Sequence, residues 1–95
     1  MAKKTVTPHS IVKATPDHVA TDLAGKTAIL GLKNRTYYTL DDVGSPIWSL
    51  IQTESSVQDV QKTLLQRYEV EPVQCERDLL EFLQKLADLD LIEVK

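Results

Sequence analysis

The hydrophobic pattern of this chain changes period once, close to residue 40, and that change constrains the fold more than any other feature. From residue 18 to residue 40, residues that favour strands recur at every second position, as at Val19, Thr21 and Leu23. From residue 43 to residue 89, apolar residues recur every three or four positions, which is typical of amphipathic helices. The sequence therefore predicts strands first and helices afterwards.

Three strands are predicted before the change of period. The first begins at His18 and ends before the turn 24–26, the second spans residues 27–32, and the third spans Thr36 to Leu40. Short connections make these strands an antiparallel meander, and the third strand is expected at its edge. An edge strand leaves backbone N–H and C=O groups unpaired on one side.

The turn between the second and third strands sets their predicted register. Asn34 and Arg35 are taken as the two loop residues of a tight turn, although the preferred Asn-Gly pair is absent. Tyr38 would then lie opposite Gly31, where an aromatic ring can cover bare backbone. Both faces of the sheet carry apolar residues, so both are expected to be at least partly covered.

The first two helices are predicted from caps and periodicity. Helix one begins at Asp41 or Asp42, or at Pro46 if its first turn is irregular, and runs to about residue 52. Helix two is capped by Ser56, in a capping box with Asp59 in place of Glu, and runs to about residue 68.

Helix three is predicted from Pro72 to about residue 89, with Glu71 as its cap and a left-handed residue at Asp90. One charged flank carries Asp78, Glu81 and Lys85. The predicted apolar stripe consists of Cys75, Leu79, Phe82, Leu86 and Leu89, widened on one flank by Leu80, Leu83 and Ala87. Residues 91–94 are predicted to be extended.

These elements predict an α+β domain in which a three-stranded antiparallel sheet is followed by three helices, the outline of a winged helix-turn-helix. The domain is assigned to residues 18–95. Residues 1–17 are interpreted as a flexible N-terminal arm with a short strand at residues 10–14.

Charge argues for a peptide or protein partner. Residues 1–40 hold six basic and two acidic side chains, whereas residues 41–95 hold five basic and twelve acidic ones. Six of those acids lie within residues 71–90, against only Arg77 and Lys85. Such a helix would repel nucleic-acid phosphates, which argues against DNA binding.

No enzymatic or metal-binding constellation is recognised. The single Cys75 has no partner for a disulfide or a zinc cluster, and His9 and His18 have no spacing that would pair them on a metal. Neither a hydrolase triad nor a phosphate-binding glycine motif is present. No cofactor is expected, and without a membrane span or signal peptide the chain is expected in the cytosol.

The order and spacing of several runs resemble the PqqD-like family, most closely the stand-alone recognition proteins of lasso-peptide biosynthesis, the B1 proteins. The likeness covers nearly all of the chain after residue 10. The runs are Pro16-Asp17-His18-Val19 with Thr21-Asp22-Leu23, residues 32–44 (LKNRTYYTLDDVG) with Ile47-Trp48, and residues 68–72 (YEVEP) through residues 75–80 (CERDLL).

The resemblance implies a recognition element for ribosomally made, post-translationally modified peptides (RiPPs). Such a domain binds the leader segment of the precursor as an antiparallel strand added to the third strand, opposite the third helix. For the lasso branch it implies a leader with a Tyr and a Pro a few residues apart, and as further partners a cysteine-protease-like leader peptidase and the cyclase. The implied peptide-binding residues are Leu30, Thr36, Tyr37, Tyr38, Thr39, Leu40, Asp78, Leu79, Glu81, Phe82 and Lys85.

Three positions depart from the family pattern. Members commonly have Gly where this chain has Arg35 and Asp90, and a helix-compatible residue where it has Pro46. These departures concern turns and a helix start, and none lies in the implied groove. The alternatives left open are the quinone-cofactor branch of the same family, a winged-helix DNA-binding regulator and a small enzyme.

Overall fold

The computed structural model describes residues 5–16, 18–23, 26–32, 35–40 and 44–95 of the chain. The described residues form a mixed α+β domain with two antiparallel sheets and three helices. Its elements in chain order are β1 (Ile11–Ala14), β2 (His18–Leu23), β3 (Lys26–Gly31), β4 (Thr36–Leu40), α1 (Gly44–Leu50), β5 (Ser55–Ser56), α2 (Val57–Arg67), α3 (Pro72–Asp88) and β6 (Ile92–Val94).

The predicted meander is present as one sheet of strand order β2-β3-β4. A second sheet, of order β5-β1-β6, was not predicted, so the expectation of a single three-stranded sheet is wrong. Its strands are short and come from three distant parts of the chain, with Val12 of β1 paired to Val94 of β6. Local periodicity carries no signal for such long-range pairing.

The expected flexible arm is corrected by the packing of β1. The short strand predicted there is present, and Val12 is completely buried while Val6 and Ala14 are nearly so. Backbone hydrogen bonds join Ala14 N–H to the Ile51 carbonyl at 2.8 Å and Lys95 N–H to the Ile11 carbonyl at 2.8 Å. This part of the N-terminal segment is therefore built into the core.

The β2-β3-β4 sheet has one covered face and one open face. Ile29 and Leu40 point to the covered face and are almost completely buried, and Tyr38 on the same face is half-buried. Val19, Leu30 and Tyr37 form a row across the opposite face, because Leu30 pairs with both of the others. These three side chains are 54%, 40% and 65% exposed, so that face lacks the cover that was expected for it.

The lengths of the three helices agree with the prediction better than the details of their first turns do. The described part of helix one begins at Gly44, two residues before the alternative start at Pro46, and Asp41 and Asp42 lie outside the described residues. Ser56 caps α2 as predicted, since its hydroxyl accepts a hydrogen bond from Asp59 N–H at 3.1 Å. Glu71 is the N-cap residue of α3, but its side chain makes no capping hydrogen bond.

The buried stripe of α3 is rotated relative to the predicted one. Its buried residues are Cys75, Leu79, Leu83, Leu86 and Ala87. Phe82 and Leu89, which were placed in the stripe, are only partly buried and lie at its margin. Asp90, after the helix, adopts a left-handed conformation with φ 59°, as predicted. No described helix is long and apolar enough to cross a membrane.

Candidate functional site

The β4 strand is an edge strand, since it pairs only with β3 among the described strands. The predicted register is wrong by two residues: Tyr38 lies opposite Ile29, and Gly31 lies opposite Thr36. The connection is longer than a two-residue turn, and Arg35 takes φ 53° at its end. Because the slip is even, every side chain of β4 keeps its predicted face.

One flank of α3 faces the covered side of this edge strand. The Lys85 ammonium lies over the Tyr38 ring, 5.3 Å from its centroid, and so joins the helix to β4. Phe82 and Asp78, about one and two turns earlier, lie on the same flank. This flank forms the helical wall beside the β4 edge. The sequence alone does not determine which flank of the helix has this position.

An apolar groove of about 400 Å³ lies at the end of this wall. It is framed by the start of α1, the end of α2 and the first three turns of α3. Its residues are Gly44, Ile47, Leu64, Tyr68, Val70, Gln74, Cys75, Asp78, Leu79 and Phe82. Most of these side chains are apolar, so the groove suits an apolar or aromatic anchor more than a charged one.

The amide and carboxylate groups of the apolar groove lie on α3. Gln74 donates from Nε2 to Asp78 Oδ1 at 2.8 Å, so the carboxylate is held along the helix surface. Burial, and then the nearby Asp78 charge, raise the pKa of the Cys75 thiol above its usual value. The thiol is therefore protonated at neutral pH, which fits its predicted place in the apolar stripe of helix three.

The structure brings together only part of the predicted site. Tyr38 lies beside Lys85 of α3, the helix on which Asp78, Leu79 and Phe82 are also located, and Leu40 is buried on the same face of β4. Glu81 is exposed and lies with Lys85 on the rim of a separate shallow depression toward Val6. The remaining predicted residues, Leu30, Thr36, Tyr37 and Thr39, belong to the sheet.

Leu30 and Tyr37 lie on the open face of the sheet, opposite α3, so they do not line the apolar groove. Thr39 alternates with Tyr38 and shares that open face. Only the backbone of Thr36 is described, where it pairs with Gly31. The three β4 positions can serve the site through the β4 backbone or on the outer face of an added strand, whereas Leu30, on β3, is separated from such a strand by β4.

Several groove residues were missed from the sequence. Val70 and Tyr68 lie in the connection between α2 and α3, and both line the apolar groove while 46% and 36% exposed. Their apolar character in a short connection was an available signal, but residue 68 was placed at the end of helix two. Gly44 and Ile47 belong to the groove because the start of α1 lies beside the first turns of α3.

The opposite edge of the sheet has a different neighbour. Beside β2 and α1 lies a groove of about 730 Å³. It is lined by Ala20, Thr21, Asp22, Thr27, Ser45, Pro46, Trp48, Ser49 and Gln52, and is called the polar groove below. Asp22 accepts a hydrogen bond from the Thr27 hydroxyl at 3.0 Å within it. Hydroxyl, amide and carboxylate groups are therefore a larger part of this groove's lining than of the apolar groove's.

Comparison with known proteins gives a family and two similar structures. The family model for coenzyme PQQ synthesis protein D (PqqD) matches residues 26–92. The solved structure of TbiB1 in complex with the TbiA(beta) leader peptide has a TM-score of 0.79 and 33% identity, over 85% of this chain and 94% of that one. Among curated proteins, no sequence matches the chain significantly.

The second similar structure is a lasso peptide synthetase B1 complexed with the leader peptide. It has a TM-score of 0.75 and 22% identity to this chain, and the match covers 86% of this chain and 96% of that one. At that identity the likeness concerns the fold alone. Both similar structures are matched over nearly their whole length, so the shared fold extends beyond the segment that the family model matches.

Proposed function

The chain belongs to the PqqD family, and from that premise we propose that it binds the leader segment of a ribosomally made precursor peptide and catalyses no reaction itself. The observation that carries this proposal is an open strand edge beside an apolar groove. The β4 edge supplies unpaired backbone groups for an added strand, and the groove at the end of α3 supplies a place for side-chain anchors.

We assign the precursor to lasso-peptide biosynthesis. The assignment is supported by TbiB1, which is 33% identical to this chain and was solved in complex with the TbiA(beta) leader peptide. It is further supported by the fold shared with a lasso peptide synthetase B1. The Tyr and Pro that the resemblance implies in the leader fit a groove lined by Ile47, Leu64, Tyr68, Val70 and Phe82.

The binding mode we propose is β-augmentation. The leader runs antiparallel to β4, residues 36–40, and its side chains alternate between α3 and the open side of the sheet. Tyr38, Leu79 and Phe82 then contact the inward side chains, while Tyr37 and Thr39 flank the outward ones. In this mode the bound protein delivers the leader to a cysteine-protease-like leader peptidase, and to the cyclase, as further partners.

We also infer a winged helix-turn-helix arrangement. It is supported by the short connection, residues 68–71, between α2 and α3, and by β6, which follows α3 and returns to pair with β1. A DNA-binding role does not follow from that arrangement, because residues 71–90 carry six acids against Arg77 and Lys85.

A precursor of the PQQ type is the second candidate, favoured by the family model itself. It differs from the first only in the peptide bound, since the strand edge and the groove would serve either leader. Titrating the protein with both kinds of leader separates the two candidates by affinity.

The test is a binding titration with the synthetic leader of the precursor encoded beside its gene. We expect a Kd of roughly micromolar or tighter, the range for an added strand with two anchors. A scrambled leader of the same composition is the control and should not bind. Absence of binding by the genuine leader to folded protein would overturn the proposed function.

A further inference from the structure

The Lys85 ammonium lies against the β4 strand, although a carboxylate on its own helix is close enough in sequence to pair with it. Glu81 lies four residues earlier on α3, the spacing at which opposite charges pair on a helix. Among the described residues, however, the ion pair formed joins Lys95 to Glu54, and Lys85 instead lies over the Tyr38 ring. Its ammonium thus stands between the helix and the strand edge.

The direction of a bound strand follows from two contacts. Tyr38 in β4 lies next to Lys85 near the end of α3, whereas Gly44, after β4, lines the groove with Gln74 and Asp78 near the start of α3. The β4 strand and α3 therefore run in opposite directions. A strand added antiparallel to β4 runs in the direction of α3, entering at the apolar groove and leaving past Lys85.

Distances along the helix set the spacing on such a strand. Asp78 and Lys85 are seven residues apart, which is about 10 Å along a helix that rises about 1.5 Å per residue. A strand rises about 3.4 Å per residue, so this distance corresponds to about three strand residues. Since only every second side chain faces α3, the positions that meet Lys85 are two or four residues after the one in the groove.

We propose that Lys85 is a specificity-determining residue that binds a carboxylate of the leader, two or four residues C-terminal to the side chain that fills the apolar groove. The inference rests on the proposed function and names the peptide chemistry it selects. In the unbound protein the ammonium lies on Tyr38, and a cation–π contact of this exposed kind is worth only about 0.5–1 kcal/mol, so a carboxylate can displace it. A charge-assisted hydrogen bond then forms beside the paired backbone.

The experiment is a double-mutant cycle on binding affinity. Wild-type protein and Lys85→Met are titrated with leader peptides that carry Glu, Gln or Lys at each of the positions one to five residues after the groove anchor. Met keeps a long apolar side chain against Tyr38 and removes the charge. The control Lys62→Met removes an exposed lysine of α2 that belongs to neither groove.

We expect wild type to prefer Glu over Gln about fivefold at the second or fourth position, and Lys85→Met to lose that preference. Lys85→Glu should reverse it and prefer the Lys peptide. The Lys62→Met control should keep the wild-type preference. Equal affinity of wild type for the Glu and Gln peptides at both positions, or a preference that survives in Lys85→Met, would overturn the inference.

Failure of the inference is distinguishable from failure of the proposed function. If wild-type protein binds the Gln peptides but no variant changes the preference among the Glu, Gln and Lys peptides, the leader binds and Lys85 does not select its charge. If wild type binds no peptide of the series, the proposed function itself is contradicted. Circular dichroism of each variant establishes that the compared proteins are folded.

Discussion

Among the described strands, β2 and β4 each pair only with β3, so both edges of their sheet are open, yet the two edges differ in what lies beside them. The groove beside β2 is the larger, about 730 Å³ against about 400 Å³, but hydroxyl, amide and carboxylate groups make up a greater share of its lining than of the other groove's. The smaller groove, toward which β4 leads, is lined mainly by hydrocarbon. Backbone pairing is available at both edges, so the apolar groove is what distinguishes β4 as the edge for an anchored peptide.

Affinity for the leader and selectivity among leaders come from different groups at the β4 edge. An added strand gains similar backbone hydrogen bonds at either edge, because these bonds do not depend on side-chain identity. Anchors gain from removing apolar area from water, at about 25 cal/mol per Å². The β4 edge combines both contributions, and its α3 wall adds the charges of Asp78 and Lys85 that can select among leaders.

The largest expected effect comes from charging the apolar groove. Val70→Glu places a carboxylate where an anchor would be buried, so we expect leader affinity to fall at least about thirtyfold, since an unpaired buried charge is costly. Val73→Glu is a matched control, because Val73 is also exposed but lies outside the groove. Thr21→Glu charges the polar groove and should leave affinity unchanged. Equal losses in all three variants would remove the distinction between the edges.

Backbone pairing at β4 is tested on the peptide. N-methylation of successive leader residues removes one N–H at a time, and we expect affinity to fall about tenfold or more at every second position of the paired segment and little at the positions between. The periodicity is read by titration against wild-type protein. A uniform loss, or none, would contradict an added strand.

Cys75 reports occupancy of the apolar groove. Its raised pKa keeps the thiol protonated at neutral pH, so alkylation by iodoacetamide should be slower than for a free thiol and should accelerate only above the usual thiol pKa. Saturating leader should slow it further, about fivefold, because the anchor covers the side chain. Mass spectrometry measures the rate. A leader that binds without changing this rate would be located elsewhere.

The smallest expected effect concerns the connection that leads into β4. Arg35 has φ of 53°, a region that costs a residue with a Cβ atom about 1 kcal/mol. Arg35→Gly should therefore raise the free energy of unfolding by up to about 1 kcal/mol. Arg77→Gly, inside α3, should lower it by about 1 kcal/mol. Urea unfolding measures both, and a destabilised Arg35→Gly would contradict the assignment.

The strands, helices and caps were predictable where local chemistry determines them. The predicted edge strand, Thr36 to Leu40, has the bounds found in the structure. The Ser56 cap and the left-handed Asp90 were also predictable, because each depends on residues at the end of a single helix. The β3–β4 register was not predictable in the same way, since an Asn-Arg pair is a weak turn signal. The family's preference for Gly at position 35 was the better indication of a positive φ there.

The candidate site was predictable only in part, because it is assembled from distant segments. The family resemblance implied β4 and α3 as the two sides of the site, and the contact between Lys85 and Tyr38 shows which side of the helix faces the strand. The groove itself requires the packing of α1 against α2 and α3. That packing depends on side-chain volumes across the core and not on any local pattern, so Val70 and Gly44 were missed.

Strand addition at β4 is tested most directly by amide hydrogen exchange, residue by residue, with and without saturating leader. We predict that alternate β4 amides, which face the open edge in the free protein, exchange at least about tenfold more slowly when the leader is bound, while the open-edge amides of β2 are unchanged. Protection of β2 with β4 unchanged, or binding with no protection at either edge, would contradict the account.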